Sequence, residues 1–202
     1  MSSSVRLDDV HPEVGGSRRR LTVRQAETID GLVDAAVGEI RERGYEGLTV
    51  RNVARRAGVA PATAYTYFAS KDHLVTEAYW RRLQALEPVR FDGRWSAARR
   101  AGEALRQIAL LVADEPELSS ACTAAMLRDD PDVARLRDLI GAEVHRRLAA
   151  AVGDVPDAGA RTSALTLLFT GALVQVGIGH LSYDAMADRL AEAAALTMGR
   201  TP

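Results

Sequence analysis

Apolar side chains return every three or four positions along most of the chain, and no stretch shows the strict alternation of a half-buried strand. Ile29, Leu32, Val33, Ala36, Val37 and Ile40 form the first stripe and predict a helix from about Val23 to Arg43. Gly44 stands where a helix stops, and Tyr45-Glu46-Gly47 makes a turn. Leu74, Val75, Ala78, Tyr79, Leu83 and Leu86 predict another helix, from about Lys71 to Leu86, ahead of Pro88. Ser96 caps the next, which reaches about Ala113 with Ala97, Ala101, Leu105, Ile108 and Val112 inward. Glu115-Pro116-Glu117 starts a shorter helix containing Leu118, Cys122, Met126 and Leu127. Asp130-Pro131-Asp132 combines a cap, a first-position proline and an acid in the first turn, and predicts a helix to about Val152. Asp157 or a neighbour opens one to about Leu181, and Ser182 caps the last, which runs to Gly199. With two short helices between Leu48 and Lys71, the chain is all-α with about nine helices.

Those two short helices carry the densest pattern. Thr49 can cap the first, while Val50, Val53, Ala54 and Ala57 fall at i, i+3, i+4 and i+7 on one buried face. Arg51, Asn52, Arg55 and Arg56 point elsewhere. Gly58 suits a left-handed residue at the helix exit, and Pro61 suits the first position of the second helix. That helix bears Thr63, Tyr65, Thr66 and Tyr67 and ends at Phe68. From Gly47 to Lys71 the basic side chains are Arg51, Arg55, Arg56 and Lys71, and there is no acid. The pattern is a helix-turn-helix with a basic rim.

Thr49, Val53, Ala54, Ala57, Gly58, Val59, Thr63, Tyr65, Tyr67, Phe68, Lys71 and Leu74 together resemble the signature of the TetR family of bacterial transcriptional regulators. Ala60 and Ala64 depart from it, standing where a capping Ser and a larger aliphatic residue are usual. The resemblance implies an N-terminal three-helix DNA-binding domain over residues 21–70 and a C-terminal helical domain for ligand binding and dimerisation over 71–202. It places Pro61 to Tyr67 in the major groove as a recognition helix. It assigns DNA contacts to Thr49, Arg51, Pro61, Ala62, Thr63, Tyr65, Thr66, Tyr67 and Lys71, with Arg51 able to reach a base edge. The function implied is a homodimeric repressor that binds operator DNA and is released by a small, largely apolar effector. A regulator without such an effector, and an all-helical enzyme, are the alternatives.

Composition changes this picture little. The net charge of −1 excludes a uniformly basic protein but not a basic face, since the distribution of charge matters more than its sum. Of the 26 basic residues only Lys71 is a lysine. A single Cys122 excludes an intramolecular disulfide, and His11, His73, His145 and His180 form no metal-binding spacing. No phosphate loop, nucleophile elbow or dinucleotide fingerprint is present, so neither an enzyme nor a cofactor is expected. Residues 1–20 are polar and rich in Ser, Gly and Pro, and read as a disordered arm. The arm ends in Arg18-Arg19-Arg20, with Arg24 close behind, which either touch DNA or are simply solvated. No signal peptide is visible, so a cytoplasmic protein is expected.

Ala164 to Leu181 contains no Asp, Glu, Lys or Arg and borders on the roughly 20 residues that span a bilayer. Thr166, Thr170, Gln175, His180 and several glycines argue instead for burial within protein. Small residues Gly171, Ala172, Gly177 and Gly179 would let this helix and the last one meet their symmetry mates in a homodimer. Cys122 and His180 form a conceivable nucleophile and base, against which stand a buried small hydrophobe and a cap. Candidates for the effector pocket are Trp80, Leu83, Trp95, Leu111, Cys122, Met126, Phe169, Leu173 and Gln175, each also explicable as core. The helix from Lys71 joins the two domains in sequence and is the expected mechanical link.

Overall fold

Helix α1 spans Val23–Gly47 and turns its stripe of Leu32, Val33, Ala36, Val37 and Ile40 into the core. At Gly44 the backbone leaves helical geometry with φ of 66°, a conformation that favours glycine, and the last turn swings away. Tyr45 and Leu48 are thereby buried at the corner. A computed structural model describes residues 23–199; the arm, with His11 and Arg18 to Arg20, lies outside the described residues.

Helices α2 (Val50–Arg56) and α3 (Pro61–Tyr67) form the helix-turn-helix. The Thr49 hydroxyl accepts from the Asn52 amide at 3.1 Å, so its cap is real. Gly58 takes a φ of 70° and lets the Val59 amide reach the Ala54 carbonyl at 2.9 Å, which closes α2. Ala60 supplies no side-chain cap to α3. Val53, Ala54, Ala64 and Phe68 are buried, which fixes α3 against α2 and leaves its other face outward.

Helix α4 (Lys71–Ala85) packs against α1 and against two helices of the C-terminal part, α6 (Pro116–Met126) and α7 (Pro131–Val152). Helix α1 also packs on α6. Helix α5 (Ala97–Ala109) lies along α9 (Tyr183–Met198), with Ala101, Gly102, Leu105 and Ile108 buried. Helix α8 (Ala158–Gly177) packs on α7 and α9. The buried core runs from Ile29 in α1 to Ala194 in α9. Nine α-helices, and no strand, are present among the described residues.

Two boundaries differ from expectation. Helix α5 ends at Ala109, and Leu110–Val112 tightens into a 3₁₀ turn whose Val112 carbonyl accepts the buried Ser119 hydroxyl. Helix α8 ends at Gly177 rather than near Leu181. Gly179, at φ of 77°, lets the His180 amide return to the Gln175 carbonyl at 2.9 Å. Asp157 does precede α8, but its backbone is left-handed and its carboxylate caps nothing.

Within the chain α8 is not enclosed. Thr162, Leu165 and Phe169 face inward, while Leu167 is 73% exposed and Leu168, Val174 and Ile178 are exposed beside it. Leu196 on α9 is 79% exposed. No described helix is long and apolar enough to cross a membrane.

Candidate nucleic-acid interface and effector cavity

The outward face of α3 presents Pro61, Ala62, Thr63, Tyr65 and Thr66, with Tyr65 half exposed and Tyr67 partly buried. The Thr66 hydroxyl donates back to the Ala62 carbonyl at 3.0 Å. The four basic residues have different positions and partners. Arg51 is exposed and makes no hydrogen bond or ion pair among the described residues. Among the described residues the Arg55 guanidinium donates only to the Asn52 side chain, at 3.1 Å. Arg56 folds back on α1, pairing with Glu42 at 2.7 Å and Glu39 at 3.4 Å. Gly38 makes room for it: a β-carbon there would stand 2.6 Å from Arg56 Nε. Arg56 accordingly holds the Glu42 carboxyl below its ordinary value.

Lys71 was expected to meet phosphate, but its ammonium is occupied within the chain. It donates to the Tyr45 carbonyl at 3.0 Å and sits over the Tyr45 ring at 4.0 Å. Thr49 is likewise occupied as a cap. The cap is what the local pattern at Thr49 predicts, whereas Lys71 owes its engagement to the corner at Gly44, which brings Tyr45 beneath it.

The start of α4 is tied to the turn between α6 and α7. The Tyr45 hydroxyl donates to Asp72, and Arg128 reaches the same hydroxyl. Burial pushes that phenol up, as does its bond to Asp72. Ser70 Oγ donates to Asp130 at 2.8 Å, and His73 packs edge-on to Phe68. Further along, Glu115 at the start of α6 receives Arg41 from α1 at 2.7 Å and Arg82 from α4 at 2.6 Å. Burial pushes the Glu115 carboxyl up, but the two arginines outweigh it and hold it low. None of these long-range pairs is periodic in sequence, so none was legible there.

A cavity of about 220 Å³ lies between α4, α5, α6, α7, α8 and the start of α9. Its wall is mainly apolar: Tyr79, Ile108, Ala109, Val112, Cys122, Met126, Leu127, Ile140, Val144, Phe169, Leu173 and Val174. Thr123, Thr166, Thr170, Tyr183 and Arg137 supply the polar groups. Thr123 and Tyr183 share a hydrogen bond at 3.1 Å. Burial pushes the Cys122 thiol up to about 12 and raises the Tyr79 phenol as well, so both are neutral at physiological pH. Among the described residues no cluster of His, Cys, Asp and Glu could hold a metal ion.

Of the pocket candidates, Cys122, Met126, Phe169 and Leu173 line this cavity, and Trp80, Leu83, Trp95, Leu111 and Gln175 do not. Leu83 is sealed in the core, and its carbonyl receives Arg147 at 2.9 Å. Trp80 is partly buried one residue round the helix from Tyr79, a rotation of about 100° that takes it off the cavity wall. Trp95 stacks with Arg99 at 4.3 Å beside Phe91, Leu111 sits in the 3₁₀ turn, and Gln175 faces outward. Size and polarity mark these five in the sequence, and neither fixes direction. His180 is exposed and does not line the cavity with Cys122, so the two form no dyad. Arg137 was missed, although a signal existed: Arg137, Ile140, Gly141 and Val144 fall at i, i+3, i+4 and i+7, placing one cation on the inward register.

Residues 32–78 match the family model described as bacterial regulatory proteins, tetR family. The chain is 46% identical over 187 residues to an uncharacterised HTH-type transcriptional regulator of Mycobacterium tuberculosis, covering 92% of this chain and 85% of the relative. It is 33% identical over 132 residues to the HTH-type transcriptional repressor KstR of Rhodococcus jostii, covering 64% of this chain and 62% of that one. The fold is similar to the crystal structure of the transcriptional regulator FadR from Bacillus subtilis in complex with stearoyl-CoA. The TM-score is 0.60 at 18% identity, covering 82% of this chain and 96% of that one. A basic helix-turn-helix, a helical remainder that lines a cavity, and 46% identity to a relative over 92% of this chain agree: the chain belongs to the TetR family of bacterial transcriptional regulators.

Proposed function

We propose that the protein is a cytoplasmic homodimeric repressor that binds operator DNA through α2 and α3 and leaves it when a small, largely apolar effector fills the cavity. The observation that carries this reading is the shared use of α4. Its first residue follows α3 by a short turn, and its Tyr79 forms part of the cavity wall. An effector that fits better when α4 tilts shifts the protein toward the DNA-released form by its differential affinity for the two forms. Residues 21–70 serve as the DNA-binding unit and 71–202 as the effector and dimer unit, with the exposed apolar faces of α8 and α9 as the two-fold contact. Support also comes from the relative named a repressor and from the related fold solved with an acyl-CoA.

In this reading Arg51 reads a base edge, and Arg55, Thr63, Tyr65 and Tyr67 position the helix on phosphates. The test is selection of genomic fragments on the purified dimer, followed by affinity measurement across salt. A palindromic site with half-sites about 34–36 Å apart, and a salt slope of about −0.9 per neutralised phosphate, is expected. Binding without sequence preference would overturn the reading.

A further inference from the structure

Among the described residues, Arg137 is the single ionised side chain on a cavity wall whose remaining members are apolar, hydroxyl-bearing or held neutral. It is partly buried, and no carboxylate lies within ion-pair distance of it among the described residues. Its Nη1 donates to the Met126 carbonyl at 2.7 Å and the Arg128 carbonyl at 2.9 Å. Its Nε and Nη2 make no hydrogen bond among the described residues. The remaining edge of the guanidinium is solvent-accessible and unpaired among the described residues, and it is the fork that receives a carboxylate through two parallel bonds. We propose that the effector is an apolar carboxylic acid, its carboxylate held by the Nε–Nη2 edge of Arg137 and its apolar body lying against Ile140, Val144 and Phe169. This rests on the cavity being the effector site.

Size limits the body. An apolar cavity of about 150 Å³ accepts benzene, so one of this volume takes a body of roughly ten carbon atoms. The anchor also links ligand to switch. The guanidinium that would take the carboxylate already holds the turn after α6, and that turn carries Arg128 against Tyr45 and Asp130 against Ser70. A carboxylate that draws Arg137 toward the cavity pulls on those carbonyls, and through them on the start of α4.

The experiment is calorimetric titration of the full-length dimer with two matched pairs: octanoate against octan-1-ol, and naphthalene-2-carboxylate against naphthalene-2-methanol. Each carboxylate should bind about tenfold or more tightly than its alcohol, the range of a charge-assisted hydrogen bond. The wild-type comparison requires no substitution, so it stands even where a variant folds poorly. Arg137→Gln should erase the preference between each carboxylate and its alcohol, and Arg137→Lys should keep part of it. Equal affinities in the wild type, a preference that survives Arg137→Gln, or no binding of either carboxylate would overturn the proposal. Val144→Trp, which fills the cavity, separates the two levels. If it blocks every probe but no charge preference exists, the anion assignment fails and the cavity stands. If it blocks none, the probes bind elsewhere and both readings fail.

Discussion

Ser70 and Asp130 each cap a helix and also bond to each other. Ser70 Oγ accepts from the His73 amide at 3.0 Å at the start of α4 and donates to Asp130 Oδ2 at 2.8 Å. Asp130 Oδ1 accepts from the Asp132 and Val133 amides at 2.9 and 3.2 Å at the start of α7. The helix that follows α3 and the helix that carries Arg137 are thus joined at their N-termini.

Ser70→Ala and Asp130→Ala should each destabilise the protein by about 1 kcal/mol, as lost caps do. The double variant should cost less than the sum, because one bond is shared. Denaturant titration of the four proteins tests this, and strict additivity would show the caps to be independent. The Ser70 hydrogen bond, with the two backbone amides, holds the Asp130 carboxyl below its ordinary 3.8. A lowered folded value means stabilisation that is full above about pH 4 and lost as pH falls through the folded value. Ser70→Ala should therefore flatten the acid limb of the stability profile.

The basic residues of the helix-turn-helix should separate by experiment. Arg51→Ala should cost about 1–3 kcal/mol of discrimination at one base pair per half-site. Arg55→Ala should weaken all DNA alike and flatten the salt slope by about one phosphate. Arg56→Ala and Lys71→Ala should leave that slope nearly unchanged, since their charges are engaged with Glu42, Glu39 and Tyr45. Fluorescence anisotropy across salt distinguishes these cases; a full phosphate's loss for Lys71→Ala would mean that it leaves Tyr45 on DNA.

Leu167→Glu should give a monomer that no longer binds the operator. The side chain is 73% exposed and lies off the cavity wall, so a charge there disturbs the outer face of α8 alone. Val174 is a less clean site because it also lines the cavity. A variant that remains dimeric on sizing would move the contact elsewhere.

Cys122 should resist thiol reagents at pH 8 in the folded protein and react only after unfolding. It is 2% exposed, and burial pushes its thiol up to about 12, so little thiolate exists to attack. Rapid labelling of the native state would show that the α6 wall of the cavity opens.

The sequence by itself determined the helices, the helix-turn-helix and its caps, because each depends on neighbours within a turn or two. Thr49, Gly58 and Pro61 mark the ends of α2 and α3 wherever the rest of the chain goes. Spacing also set which side of each helix is apolar. Only the tertiary structure decided which apolar or polar side chains face a cavity rather than plain core, and which charges are consumed. Tyr79 and Trp80 are neighbours on one helix, yet one lines the cavity and the other does not. Arg51 and Arg56 belong to the same short helix, yet Glu39, Glu42 and the gap at Gly38 neutralise only the second. Those outcomes depend on residues brought together from distant parts of the chain, and periodicity carries no information about such pairs.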